Sequence, residues 1–273
     1  HYKKIDEFTI DKTAPQMQIE YDNNNVSNGN YYSDARRATI TINERNFDSD
    51  NVMITMTAQV DGNDIAPPTV NGWSTNGDVH TATIDFTNDA LYELDISFID
   101  MAGNDAIDIP RQTFYVDRTA PTLEISGVKD RSANNDSVIP VISYSDINLD
   151  NEGVSISLVG ANRGQVDIIG TYTDVKNGRI FTFADFERTQ EIDDIYTLTA
   201  TVSDRAGNEV SQNITFSVNR FGSTYAIGDS TKAILDQYIQ NEIELEITEI
   251  NVDSLEKYNL KYSRDGVVYD LVA

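Results

Sequence analysis

The chain has 273 residues, of which 20 are Lys or Arg and 45 are Asp or Glu, and its formal charge of −25 disfavours nucleic acid and anionic membranes as partners. It has no cysteine, which excludes disulfides, zinc-thiolate sites and cysteine nucleophiles. The only histidines are His1 and His80, so carboxylates are the abundant acid, base and metal-ligating groups. No stretch is long and apolar enough to insert into a membrane.

Seven runs of alternating or β-branched residues predict strands in the first part of the chain. They are Met17 to Tyr21, Thr39 to Asn43, Val52 to Gln59, a weak run near Val70, Thr81 to Phe86, Tyr92 to Ile99, and Gln112 to Val116. The same scheme repeats from Leu123 to Val218. Seven short strands with turn signals between them are typical of a β-sandwich.

The last part of the chain has a weaker pattern. Thr231 to Ile239 predicts a short helix, which Asp229 or Ser230 would cap. Tyr258 to Ser263 and Val267 to Leu271 predict a hairpin around the turn Arg264-Asp265-Gly266.

Three motifs recur at a period of a little over one hundred residues, which indicates tandem repeats. The Asp-basic-Thr-Ala-Pro motif occurs at Asp11 to Pro15 and Asp117 to Pro121, with a degraded copy at Asn219-Arg220. The Asp-x-Ala-Gly-Asn motif occurs at Asp100 to Asn104 and Asp204 to Asn208. An acidic-x-Asn-apolar-Asp motif occurs at Glu44 to Asp48, Asp146 to Asp150 and Glu249 to Asp253. We therefore predict a first module at residues 1–117, with a leading linker to about residue 12, and a second at 118–219. Residues 220–273 are predicted to form a partial third module or a small β domain.

The Asp11 to Pro15 start, the Tyr-led strand from Tyr92 and the Asp-x-Ala-Gly-Asn turn resemble bacterial immunoglobulin-like repeats of Gram-positive cell-surface proteins, over residues 8–219. The resemblance implies an all-β fold of tandem immunoglobulin-like β-sandwiches, two complete and a third partial. It also implies display outside the cell, on the surface or wall of a Gram-positive bacterium, with no cofactor and no catalytic residues. Because the chain starts at His1 and not Met, we expect a mature fragment or a piece of a longer protein.

In this topology the B–C loop, the F–G loop and the start of strand A lie at the same pole of each sandwich, which predicts two acidic clusters. The oxygen ligands would suit interdomain calcium. The candidate ligands are Asp11, Glu44, Asp48, Asp100 and Asn104 in the first module, and Asp117, Asp146, Asp150, Asp204 and Asn208 at the joint. The recurring basic residues Lys12, Arg118 and Arg220 favour the alternative of an interdomain salt bridge with the B–C loop acid, which would need no calcium. The third alternative is that the junction between the two modules is solvated and unstructured.

Five aromatic residues have a structural interpretation, and stacking on a ligand is the functional alternative. Tyr92 and Tyr196 begin the strand before the Gly turn, where a tyrosine corner binds backbone. Trp73 lies in a Gly- and Asn-rich stretch, and it either folds over the sandwich edge or stacks on a sugar. The pair Tyr31-Tyr32 has the same two interpretations.

The sequence therefore predicts a non-catalytic extracellular spacer or stalk of a bacterial surface protein, and an adhesion or carbohydrate-binding module is the alternative. A partner, if there is one, is expected to be a cell-wall or host glycan or protein. We expect a monomer and no enzymatic activity.

Overall fold

The computed structural model describes residues 10–241, 243–250, 261–264 and 266–270. This part of the chain consists mainly of β-strands, as the sequence predicts. The chain divides into two compact units. The first unit comprises His1–Pro121, Asp146–Gly153 and Ser203–Glu209, and the second comprises Thr122–Ser145, Val154–Val202 and Val210–Ala273. The first unit thus includes two short segments from the second repeat, and the boundaries at residues 117/118 and 219/220 stay predictions.

The first repeat is a sandwich of two sheets. Its strands are β1 (Gln16–Tyr21), β2 (Tyr31–Tyr32), β3 (Arg36–Asn43), β4 (Val52–Val60), β5 (Asn63–Ile65), β6 (Ser74–Asn76), β7 (Val79–Phe86), β8 (Ala90–Phe98) and β9 (Gln112–Val116). The sheet orders are β1-β3-β7-β6 and β2-β9-β8-β4-β5. These correspond to strands A-B-E-D and A′-G-F-C-C′ of an immunoglobulin-like sandwich, which confirms the predicted fold class.

The core of the first repeat follows from period-two patterning. Alternate residues of β3, β7 and β8 are buried. Ile40 and Ile84 of one sheet are buried in the same core cluster as Leu94 and Phe98 of the other. Burying each such side chain contributes about 1.5–3 kcal/mol, so the alternation is sufficient to fix which face of each strand is internal.

The second repeat has the same strand order. Its strands are β10 (Thr122–Ser126), β11 (Ser132–Asn134), β12 (Val141–Ser145), β13 (Leu149–Gly160), β14 (Gly164–Val166), β15 (Gly170–Val175), β16 (Gly178–Phe183), β17 (Asp194–Asp204) and β18 (Glu209–Val218). The sheets are β10-β12-β16-β15 and β11-β18-β17-β13-β14. In both repeats the short A′ strand pairs in parallel with strand G, β2 with β9 and β11 with β18.

Both tyrosine corners are present. The hydroxyl of Tyr92 donates to the carbonyl of Asn88 at 2.9 Å, and that of Tyr196 donates to the carbonyl of Ile192 at 2.6 Å. Both residues are almost fully buried. The structural interpretation of these tyrosines is therefore confirmed.

The strand predicted near Val70 is not a strand. Val70 forms only an isolated bridge with Ile84, and strand D is Ser74–Asn76 instead. The sequence also gave no signal for the two-residue β2 or the three-residue β5, because such short segments show no periodicity.

The tail opens with the same pair of strands as each repeat. β19 (Thr224–Ile227) pairs antiparallel with β20 (Ile247–Ile250), just as β1 pairs with β3 and β10 with β12. Glu249, the acid of the third motif copy, lies in β20, whereas residues 251–253 of that motif lie outside the described residues. The third repeat itself stays a prediction.

The other two elements of the tail differ in detail from the prediction. Helix α1 is only Asp229–Lys232, and Gly228 is its N-cap, so Asp229 and Ser230 lie in its first turn instead of capping it. Asp236 has φ +60°, a left-handed conformation that ends helical structure before the predicted Ile239. The hairpin is present as β21 (Lys261–Arg264) and β22 (Val267–Asp270), and residues 258–260, 265 and 271 of the predicted hairpin lie outside the described residues.

Candidate functional site

Two groups of three carboxylates lie in the first unit, on loops except for Asp204, the last residue of β17. The leading cluster consists of Asp11, Glu44 and Asp100, and the linker cluster consists of Asp117, Asp146 and Asp204. Within each cluster, one oxygen of every member lies within 4.8 Å of the others. The sequence-predicted acids of strand A, the B–C loop and the F–G loop are therefore brought together.

The F–G acid of each cluster is held by its own turn. The Oδ1 atom of Asp204 accepts from the backbone N–H of Asn208 at 2.9 Å, and Gly207 between them has φ +89°. Asp100 accepts from the N–H groups of Ala102 and Asn104, each at 2.8 Å. An Asp that bonds its own backbone and a Gly with positive φ fix this turn.

The asparagine of the B–C motif contacts the acid of strand A in both clusters. The Nδ2 atom of Asn148 donates to Asp117 at 2.7 Å, and that of Asn46 donates to Asp11 at 2.5 Å. Asn148 also donates its backbone N–H to Asp146 at 2.6 Å. Neither asparagine was among the predicted site residues, although their recurrence 102 positions apart was a usable signal.

The asparagine of the F–G turn reaches the linker backbone. The Nδ2 atom of Asn208 donates to the carbonyl of Asp117 at 2.9 Å and to Oδ2 of Asp204 at 2.8 Å. Asn104 makes the corresponding bonds to the carbonyl of Asp11, at 3.5 Å, and to Asp100, at 2.8 Å. Both predicted asparagines therefore belong to the clusters as hydrogen-bond donors.

Two of the predicted calcium ligands lie outside the clusters. Asp48 caps a short 3₁₀ turn by accepting from the N–H of Asp50 at 3.0 Å. Asp150 accepts from the N–H of Glu152 at 3.1 Å. Both carboxylates bond the backbone two residues further on, so each takes part in its own local turn.

The predicted salt bridge between Arg118 and the B–C loop acid is not present. The Nε atom of Arg118 lies 2.9 Å from Asp89 instead. The pairing of Ala90 with Val116 explains this, because it places Asp89 beside the residues that follow β9. Thr119 completes the site by donating its hydroxyl to Asp89 at 2.6 Å.

The other two predicted basic residues also make no bond to a cluster acid. Arg220 donates to the carbonyls of Asp136, Phe186 and Glu187 and lies 3.3 Å from Asp185. Within the described residues Lys12 forms no ion pair. Asparagine amides therefore take the place that the prediction gave to cations.

The linker cluster carries uncompensated negative charge. Burial raises the pKa of Asp117, and the charges of Asp204 and Asp89 raise it further, against the hydrogen bond from Asn148. Burial and the neighbouring Asp117 and Asp204 raise the pKa of Asp146 to about 6. In the leading cluster, burial is outweighed by hydrogen bonds from Asn104, Ala102 and Gly103, and the pKa of Asp100 is lowered.

The donor set of each cluster suits a hard divalent cation. Calcium prefers six to eight oxygen ligands, mainly carboxylates and carbonyls, and the three acids of each cluster supply several of these. The same oxygens accept hydrogen bonds from the asparagines, so calcium would share them. Calcium binding by these residues stays a prediction.

Two aromatic candidates are packed into the sandwich. Trp73 is partly buried against the core, and its ring centre lies 5.1 Å from that of Phe47. Tyr31 is buried and stacks on Tyr115 with ring centres 4.2 Å apart. This packing matches the structural interpretation of both residues.

The family assignment agrees with this geometry. Residues 91–219 match the family described as bacterial Ig-like domain (group 3). Residues 91–219 are therefore similar to bacterial Ig-like domains. The match runs from strand F of the first Ig-like repeat to the end of strand G of the second, and so includes the linker and the whole linker cluster.

The Ig-like repeats are similar to several solved structures at low identity. A titin fragment is 11% identical, with a TM-score of 0.39, and the match covers 76% of this chain and 99% of the fragment. FdeC, an Escherichia coli adhesin, is 15% identical, with a TM-score of 0.35 and coverage of 79% and 68%. The Yersinia pseudotuberculosis adhesin InvE is 16% identical, with a TM-score of 0.32 and coverage of 73% and 58%. No curated protein matches the sequence.

Among the described residues, no helix has the length and apolar character needed to cross a bilayer.

Proposed function

We propose that the chain is a non-catalytic spacer of a bacterial surface protein, displayed outside the cell, in which the linker between Ig-like repeats resists bending. The observation that carries this proposal is the hydrogen bonding of the linker. Asn148 and Asn208 bond the side chain and the carbonyl of Asp117. A spacer needs such bonds, whereas a freely flexible tether would not.

The linker has few freely rotating bonds. Only five residues separate Val116, the end of β9, from Thr122, the start of β10. Asp117 accepts from the N–H of Thr119 at 3.2 Å, and Pro121 at the end of the segment is buried and has a fixed φ. Local bonds and a proline therefore limit the conformations of this short segment.

The use of the polar groups also supports a structural role. The clustered acids and asparagines bond to one another or to backbone, as in a joint that is held together. We propose no catalytic role for them, and the resemblance to bacterial Ig-like repeats brings none. Display on the wall of a Gram-positive bacterium is part of the same proposal.

The test uses distance measurement between spin labels on the full chain. The chain has no cysteine, so Thr57→Cys in β4 and Thr173→Cys in β15, both exposed, give one label on each repeat. A spacer should give a single narrow distance distribution. A control with a Gly-Ser insertion after Thr119 should broaden it, and a wild-type distribution as broad as this control would refute the spacer.

The alternative of a carbohydrate-binding module is tested separately with a glycan array. Trp73 packs against Phe47, so the spacer proposal expects no binding above background by the wild-type chain. Binding that is lost in Trp73→Ala, while the melting temperature is kept, would favour the adhesin.

A further inference from the structure

The two Asp-x-Ala-Gly-Asn turns differ in their second residue. It is Met101 in the first repeat and Arg205 in the second. The backbones match, because the N–H of Met101 donates to the carbonyl of Asn46 at 3.1 Å and that of Arg205 donates to the carbonyl of Asn148 at 2.9 Å. The side chain alone therefore distinguishes the two turns at this position.

The side chain of Arg205 contacts an aromatic pair within the first unit. Its Nη1 atom donates to the hydroxyl of Tyr31 at 3.2 Å, and its Cζ lies 5.8 Å from the centre of the Tyr31 ring. Tyr31 is only 8% exposed and stacks on Tyr115 with an interplanar angle of 6°. The guanidinium thus meets both a hydroxyl acceptor and the stacked rings, a combination that Met cannot use. Met101 is 70% exposed.

A glycine in the same turn also contacts this region. A Cβ on Gly207 would lie 2.8 Å from the Oγ atom of Ser27, just before β2. A Cβ on Gly103, its counterpart in the first repeat, would meet nothing within 4 Å. The F–G turn of the second repeat therefore packs closely against the segment that precedes Tyr31.

The aromatic pair belongs to one repeat. In the A′–G pairing of the first repeat, Tyr31 lies opposite Tyr115. At the same step of the second repeat, Ala133 lies opposite Ser217. The second repeat therefore has no rings at this place to receive a guanidinium.

We infer that Arg205 and the Tyr31–Tyr115 pair are specificity-determining residues of the linker: the first repeat accepts, as its C-terminal neighbour, an Ig-like repeat with a guanidinium at the second position of the F–G turn. This inference rests on the proposed spacer and names the contact that selects the order of repeats. The guanidinium and the phenol recognise each other through a hydrogen bond and cation–π attraction, so a turn that carries Met is a poorer match.

The experiment compares Arg205→Met, Tyr31→Phe and the double variant in the full chain, with Met101→Arg as the matched control. Arg205→Met installs the residue that the first repeat already carries on the same backbone, so the turn itself should persist. Two quantities are measured: the width of the distance distribution between labels at Thr57→Cys and Thr173→Cys, and the hydrogen exchange of residues 203–209.

Loss of one hydrogen bond should speed exchange of this segment about two- to tenfold. Arg205→Met and Tyr31→Phe should both do so and should broaden the distance distribution, whereas Met101→Arg should change neither quantity. Because the two residues act through one contact, the double variant should be no worse than the more affected single variant.

The two proposals fail in different ways. A narrow wild-type distribution that stays narrow in Arg205→Met, with unchanged exchange, overturns the inference and leaves the spacer intact. Additive effects of the two substitutions also overturn it. A broad wild-type distribution overturns the spacer, and the exchange rates then decide the Arg205–Tyr31 contact by themselves.

Discussion

Asp146→Asn is expected to stabilise the protein at pH 7 in buffer that contains a metal chelator. Burial and the charges of Asp117 and Asp204 raise the pKa of Asp146 from 3.8 to about 6 in the folded chain. The folded state therefore binds this proton more tightly than the unfolded state. The resulting stabilisation is complete below about pH 4 and is lost as the pH rises through about 6. Taken in full, this difference in pKa corresponds to about 3 kcal/mol. Solvent screening of the partly exposed carboxyl reduces the expected effect to about 1 kcal/mol.

The assay is calorimetric melting of both chains between pH 4 and pH 8. The melting temperature of Asp146→Asn minus that of the wild type should rise with pH and reach about 2–4 °C at pH 7. The exposed Glu152 serves as control, because Glu152→Gln makes the same change in charge outside the linker cluster. If the difference is independent of pH, or if the Asn variant melts lower at pH 7, the uncompensated charge of the linker cluster is refuted.

Three further outcomes are expected. Calcium at 10 mM should raise the melting temperature if the clusters bind it with a Kd of about 10⁻⁴ M, since a ligand at a hundredfold excess over its Kd stabilises by about 2.7 kcal/mol; an unchanged melting temperature contradicts calcium binding. Asn148→Ala should cost about 1–3 kcal/mol in urea unfolding, because it removes a donor from the buried Asp117, and a loss below about 0.5 kcal/mol would show that the bond is unimportant. Tyr196→Phe should cost about 1 kcal/mol by the same measurement, because it deletes only the corner hydroxyl, and an equal or higher stability would contradict the role of the corner.

The fold was predictable because its signals are periodic. The run Gln112–Val116 was predicted with the observed bounds, since alternation and a following Asp-basic-Thr-Ala-Pro motif mark both its face and its end. Short elements carry no such signal. The two-residue β2 exists because the G strand offers unpaired backbone groups to the chain passing beside it, a tertiary effect that local sequence cannot show.

The composition of the site was predictable, but its pairing was not. The recurrence of Asp117, Asp146 and Asp204 located a real cluster of carboxylates. The choice of partner depended on strand register, which brought Asp89 within reach of Arg118. The recurring basic residue after the linker acid favoured a salt bridge, whereas the amide of Asn148 is the group that bonds Asp117.

The parallel pairing of A′ with G determines how a repeat bears mechanical load. When the ends of the first repeat are pulled apart, β2 and β9 are drawn along each other in opposite directions. Two hydrogen bonds resist this movement: the N–H of Tyr115 donates to the carbonyl of Asn30, and the N–H of Asp117 donates to the carbonyl of Tyr32. Both bonds lie across the direction of the force, so they are loaded at the same time instead of opening one after another. Asp117 donates one of these bonds through its backbone and accepts the bond from Asn148 through its side chain. The resistance of the first repeat to tension and that of the linker to bending therefore depend on the same residue.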